Sequence, residues 1–227
     1  MSELSAVDQR IDSLQIVRGN PLLQPYTSYQ VNLSGEARKG IFTANLWSSY
    51  EYRPKAIMDE KFVEGNRIIN TFDNQKSWQR LSVETTLKVK PLKDLLQVSA
   101  TGGVNHYLSD GNTYNHEYTN WFYRGDLSFV YKKVMLAFQI QSNWNWFWGE
   151  NVRGGENYHL LQAKYNMKNC SIGLGVFNPF SDNYKVVNEN WSQHATIKKA
   201  NYINESSRLV MVQFSWNLSF GRKYASA

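Results

Sequence analysis

From Val210 to Phe220 the chain alternates without a break. Val210, Val212, Phe214, Trp216, Leu218 and Phe220 share one parity, and Met211, Gln213, Ser215, Asn217 and Ser219 share the other. Successive strand side chains point to opposite faces, so the segment predicts a strand with one apolar, aromatic wall and one mostly polar wall. The same period of two recurs upstream. Tyr29, Val31, Leu33, Gly35 and Ala37 oppose Gln30, Asn32, Ser34 and Glu36; Phe42, Ala44, Leu46, Tyr50 and Tyr52 share a parity before Pro54. A third strand is expected over 67–90, interrupted near Asp73-Asn74, with Leu81, Val83, Thr85, Leu87 and Val89 on one side. Further strands are expected from Leu96 to Val104, over 118–131 (Trp121, Tyr123, Leu127, Phe129, Tyr131), and from Val134 to Trp148. Two more follow, at 158–167 and around Ile172, Leu174 and Val176. The final strand makes nine, and residues 179–206 have room for a small hairpin of their own.

The links alternate in length. Those at Arg38-Lys39-Gly40, Pro91–Asp94, Lys132-Lys133 and Lys168-Asn169 are short. Those at 55–66, around Ser109-Asp110-Gly111-Asn112, at 149–157 and after Asn178-Pro179 are longer and polar. Tight turns at one end and long loops at the other are the habit of outer-membrane barrels, and two-walled strands are what a lipid-facing surface with a wet lumen requires. The expected fold is therefore all-β: a partial antiparallel transmembrane β-barrel of about nine or ten strands. Residues 1–26 are assigned to an extracellular loop leading to the first strand, 27–221 to the barrel section and 222–227 to a tail. Nine strands start and finish in the same direction, so the usual even rule leaves the ring open. Trp144, Trp146 and Trp148 continue the parity of Val134 and are expected in an interfacial aromatic girdle.

Composition narrows this further. The 227 residues include 8 Trp, 14 Tyr and 11 Phe, while mean hydropathy is −0.53. No 18-residue apolar run exists, which excludes a transmembrane helix and leaves a barrel open. The net charge of +6 is scattered as pairs at turns and not gathered on one element, so a nucleic-acid partner is not expected. A lone Cys170 gives neither a disulfide framework nor a Cys-based metal site. The start, Met1 to Asp8, has no basic and apolar leader pattern.

Gly19-Asn20-Pro21-Leu22-Leu23-Gln24-Pro25 resembles the GNP-x-L-x-P motif that introduces a barrel strand in TonB-dependent receptors, with the Bacteroidetes-type outer-membrane β-barrel proteins most alike. Asn178-Pro179-Phe180 and the ending from Phe214 to Lys223 are similar to the late barrel of that family. The resemblance covers nearly the whole chain as the C-terminal portion of such a receptor. It implies an outer-membrane location in a Gram-negative bacterium and a part in nutrient uptake. It also implies outer-membrane lipid, the barrel-assembly machinery (through the terminal Phe220), an N-terminal barrel and plug, and a TonB complex as partners. The competing reading is a soluble carbohydrate-binding β-sandwich, in which the apolar parity would be buried between sheets.

Catalytic signals are weak. His106, His116, His159 and His194 lack metal-pair spacing, no Gly-x-Ser-x-Gly elbow occurs, and 149–155 lacks the Gly-Lys-Ser/Thr ending of a phosphate loop. No enzyme, cofactor or metal is expected. Ligand contact is expected from loop residues Tyr114, His116, Trp148, Arg153, Tyr184 and Trp191, because loops on a rigid scaffold carry recognition.

Overall fold

The computed structural model describes residues 4, 7–181, 185–202 and 208–218. Its strands are β1 (Gln9–Arg10), β2 (Gln15–Val17), β3 (Tyr29–Lys39), β4 (Phe42–Pro54), β5 (Ile57–Glu64), β6 (Arg67–Asn74), β7 (Ser77–Val89), β8 (Leu96–Asp110), β9 (Asn115–Tyr131), β10 (Val134–Gln141), β11 (Trp146–Trp148), β12 (Asn151–Arg153), β13 (Tyr158–Asn166), β14 (Cys170–Phe177), β15 (Lys185–Asn190), β16 (Ile197–Tyr202) and β17 (Leu209–Trp216).

Nine of them build one antiparallel wall in the order β17-β14-β13-β10-β9-β8-β7-β4-β3. They are the nine expected from the alternation. Every neighbouring pair is antiparallel, so β3 and β17 run in the same sense. Among the described residues these two outer strands pair with each other nowhere, and the ring is open.

The wall is inside out relative to a soluble sheet. Directly opposed residues share a face, and one such row runs through Ser49, Ser82, Asn105 and Asn120. All four are buried, as are Ser99, Thr101 and Ser171 on the same face. The apolar parity is exposed: Val31 is 70%, Trp121 76% and Val212 73% accessible. Polar residues inside and aliphatic residues outside reverse the ordinary partition, and such a surface is stable against hydrocarbon. This excludes the sandwich, which needs the opposite burial. Polar pairing holds the inner face: Ser82 Oγ donates to Asn105 Oδ1 at 2.6 Å, and the Thr86 and Thr101 hydroxyls lie 2.9 Å apart.

Aromatics mark two levels on the outer face. Trp121 and Tyr123 stand towards one end of β9 and Tyr131 at the other, joined at its level by Phe42, Tyr165 and Trp216, all exposed. Trp121 and Tyr131 are ten residues apart. That is about 34 Å along a strand, or about 26 Å along the axis of a barrel with strands tilted about 40°, close to the apolar band of an outer-membrane barrel.

The expected girdle of Trp144, Trp146 and Trp148 is not there. β10 ends at Gln141, where Ser142 N–H donates to Tyr123 O at 3.0 Å and Ser142 Oγ accepts from Tyr123 N–H at 2.8 Å. The chain then turns to the inner side, and Trp146 and Trp148 flank a fully buried Phe147 in β11. The parity persists through a change of strand, which is why the tryptophans read as one continuous face. Two loops are also corrected. Residues 55–66 hold β5 and the Gly65-Asn66 turn into β6, and the expected loop around residue 109 is mostly strand, since β8 and β9 extend to Asp110 and Asn115. The expected third strand breaks at Gln75-Lys76, and its first part, β6, leaves the wall to pair with β2 and β5; the expected hairpin after residue 179 is β15–β16. Phe220 lies outside the described residues.

Gly40 carries φ +58 in the tight β3–β4 link, a conformation that crowds any Cβ. Gly40→Val should cost about 1–2 kcal/mol, measurable as a lower urea midpoint for folding into phospholipid bilayers.

Candidate functional site in the loop cap

At the long-link end the connections, with the segment before β3, fold into two four-stranded sheets, β1-β2-β6-β5 and β11-β12-β15-β16. Their shared base is the upper inner face of the wall. Trp78 (β7), Tyr107 (β8) and Tyr118 (β9) lie on the inner parity, and Met58, Phe147 and Val152 from the cap pack with them in one cluster. Phe147 is fully buried, 5.5 Å from Tyr118 and 6.4 Å from Tyr107 by ring centroid, and its carbonyl accepts from Trp78 Nε1–H at 3.0 Å. The Arg53 guanidinium lies 5.1 Å from both the Trp78 and Trp148 rings, a cation–π arrangement fastening cap to wall. Trp78→Phe should lower stability by about 1 kcal/mol, the net worth of one such hydrogen bond, without changing the wall's circular dichroism.

The motif from Gly19 to Pro25 acts as a clasp. Asn20 Oδ1 accepts from Leu22 N–H at 2.9 Å, while its amide donates to Phe72 O and Asp73 Oδ1, both at 3.2 Å. Gln24 exchanges two bonds with Asn74: its N–H to Asn74 Oδ1 at 2.7 Å and its C=O from Asn74 Nδ2 at 2.8 Å. The start of β3 is thus tied to the end of β6, which explains why this short polar-and-proline pattern precedes a wall strand.

Between the cap sheets opens a cleft of about 640 Å³, lined by β2, β5 and β6 on one side and β12, β15 and β16 on the other. Its floor is a chain of side-chain bonds that crosses from sheet to sheet. Lys61 Nζ donates to Asn190 Oδ1 at 2.9 Å, Asn190 Nδ2 to Asn151 Oδ1 at 2.8 Å, and Asn151 Nδ2 to Asp59 Oδ2 at 2.7 Å. Burial lowers the Lys61 ammonium pKa and raises that of the Glu60 carboxyl, since a desolvated charge is disfavoured. The charged lining residues Asp59, Glu60 and Glu189 are matched by Lys61, Arg153 and Lys199. With Phe72, Val152 and Ile197 beside them, the cleft presents hydrogen-bonding groups of both kinds next to apolar patches, the mixture that lines ligand pockets.

Five of the six expected ligand residues lie at the cap end, His116 at the start of wall strand β9. Tyr114 is buried and stacks on His116 at 5.1 Å; His116 Nε2 lies 3.4 Å from Glu150 Oε1 and meets the Trp191 ring edge-on at 5.7 Å. Trp148 stacks on Trp146 at 5.6 Å. These four pack where cap and wall meet, Tyr114 buried and the other three half-buried. Arg153 alone among them lines the cleft, over the Trp146 ring at 5.6 Å. Tyr184 lies outside the described residues. Asp59, Lys61, Asn151 and Asn190 were missed. The Gly65 turn, with φ +61, was the signal for the hairpin that carries the first two.

Glu189 accepts from Lys198 Nζ at 2.6 Å and from Trp191 Nε1 at 3.0 Å, and these bonds hold its carboxyl below the ordinary glutamate range. A lowered acid stabilises the fold above its ordinary titration range and loses that contribution as pH falls through its folded value. Melting curves of the parent and Glu189→Gln should therefore differ near neutrality and converge in acid.

A family model described as "Outer membrane protein beta-barrel family" matches residues 1–216. No curated protein matches the chain, and no solved structure does.

Proposed function

The chain belongs to the outer membrane protein β-barrel family, and from that premise we propose that it is the C-terminal wall section of a TonB-dependent receptor for nutrient uptake. The observation that carries this reading is the open wall. Among the described residues nine inside-out strands leave two backbone edges, β3 and β17, and a bilayer offers no groups to satisfy them. Further strands of a larger barrel meet that need, and the motif around Asn20 supports a receptor of this type. In this reading a plug fills the lumen, TonB supplies energy and the assembly machinery inserts the barrel in a Gram-negative outer membrane. The cap captures the nutrient at the outer end: Arg153 contacts it in the cleft, and Tyr114, His116, Trp148 and Trp191 support the cap behind it. The role is transport and not catalysis.

The test is the native polypeptide. Antibodies against the cap should detect, in outer membranes, a band far larger than this chain alone, with plug peptides identified in it by mass spectrometry. A band of this chain's own size in the outer membrane, with no plug polypeptide bound, would overturn the receptor reading.

A further inference from the structure

The β11–β12 hairpin touches both the cleft and the inner face of the wall, and it is only six paired residues long: Trp146 opposite Arg153, Phe147 opposite Val152 and Trp148 opposite Asn151. Its second strand supplies the cleft. Asn151 is the centre of the floor network, bonded to Asp59 and Asn190, and Arg153 lines the wall of the cleft. Its first strand supplies the cover. Phe147 packs on Tyr107 and Tyr118, and the approach to the hairpin lies on the same wall, with Trp144 stacked on Phe122 at 4.7 Å and Asn145 Nδ2 donating to the Tyr118 hydroxyl at 2.8 Å.

The inner face between these two contacts is polar and incompletely satisfied. Asn105 and Asn120 oppose each other on the inner face, between the Phe122 row and the Tyr107–Tyr118 row. They are 2% and 6% exposed, and the Nδ2 of each has no hydrogen-bond partner. A buried amide without an acceptor costs free energy that exposure to water recovers. The covered state therefore carries a penalty, which the aromatic packing and the cleft network offset.

We propose that the β11–β12 hairpin is a gate whose position is set by the cleft: a polar ligand that takes the Asn151 and Asn190 amides away from Asp59 and Lys61 releases Phe147 and opens the inner face beneath. The hairpin is one edge of the β11-β12-β15-β16 sheet, joined to β15 only at Asn151–Asn190 and Val152–Glu189, so it moves with that small sheet, whose placement follows its contacts with the wall on one side and with β5 on the other. A ligand shifts such an equilibrium only by its differential contacts with the two states, and the floor network is where those contacts differ. The inference rests on the outer-membrane wall and the cap, and stands or falls separately from the receptor reading.

The test needs no ligand. In outer-membrane vesicles carrying the protein as expressed, with Cys170→Ser as background, a thiol is placed by Asn120→Cys beneath the hairpin and, separately, by Gln97→Cys on the inner face near the tight-turn end. Reaction with a charged methanethiosulfonate reagent is then timed. Asp59→Ala and Asn190→Ala should speed labelling at position 120 about tenfold, the population shift that loss of one hydrogen bond to a charged group allows, and leave position 97 unchanged. Asp59→Asn, which keeps the shape and removes the charge, should act in the same direction. Phe147→Ala should speed position 120 as well. If Phe147→Ala accelerates labelling while the cleft variants do not, the hairpin is a passive cover and the coupling is refuted. Faster labelling at both positions would mean that the wall itself loosens, which also refutes it.

Discussion

Leu127→Arg should cost about 2–4 kcal/mol of stability in a bilayer, the penalty for a cation on the lipid face of a barrel near the midplane. Leu127 is exposed on the outer parity, with Val98 and Phe138 as its cross-strand neighbours. It lies between the Trp121 and Tyr131 levels, where the guanidinium cannot easily reach either interface. The neighbouring position gives the contrast. Ser128→Arg adds the same charge one residue on, with the side chain turned to the polar inner face among Gln97 and Ala137, and should cost under about 1 kcal/mol. Urea titrations of folding into phosphatidylcholine bilayers measure both. Equal costs would contradict the assignment of faces, because a period of two separates the two positions completely.

Glu51→Ala should cost about 3 kcal/mol. Glu51 is buried on the inner face and is the one carboxylate between two guanidiniums: Arg53 Nε donates to Oε1 at 2.6 Å and Arg80 Nη2 to Oε2 at 3.1 Å. Ser28 Oγ donates to the same carboxylate at 3.0 Å. Removing one partner of a buried ion pair leaves the other charge uncompensated, at about 3–5 kcal/mol. The lower end applies because both arginines are about a quarter exposed. Since Arg53 also sits between Trp78 and Trp148, the loss should reach the cap and appear in near-ultraviolet circular dichroism as well as in the unfolding midpoint. A cycle with Arg80→Ala should show strong coupling, as the second change removes the charge stranded by the first.

The wall was legible because its code is local. Each strand states its own faces through alternate residues, and Val210 to Trp216 or Val134 to Gln141 needs no distant partner to be read. The cap was not legible for the converse reason. Trp146 and Trp148 keep the parity of β10, and nothing within that run says that the chain leaves the wall at Ser142; the partners that decide it, Tyr123 and Trp78, lie 19 and 69 residues away. Tyr114, His116, Trp148 and Trp191 stand at one end of the wall. Their burial against each other follows from two excursions converging there, which no single segment encodes. Asp59 and Lys61 read as loop residues because β5 is short and mixes charged and apolar positions on both faces, so its period of two is blurred.

The clustering of Phe147 on Trp78, Tyr107 and Tyr118 also sets an order of events in assembly. That seat is contributed by β7, β8 and β9 together, so the hairpin has nowhere to dock until three strands stand in register. The wall can grow as a meander, each strand joining the last, with little backbone left unpaired in hydrocarbon at any moment. The polar excursions wait in water meanwhile. Docking of the cap hairpin thus follows registration of β7, β8 and β9, and burial of the Phe147 ring marks that step.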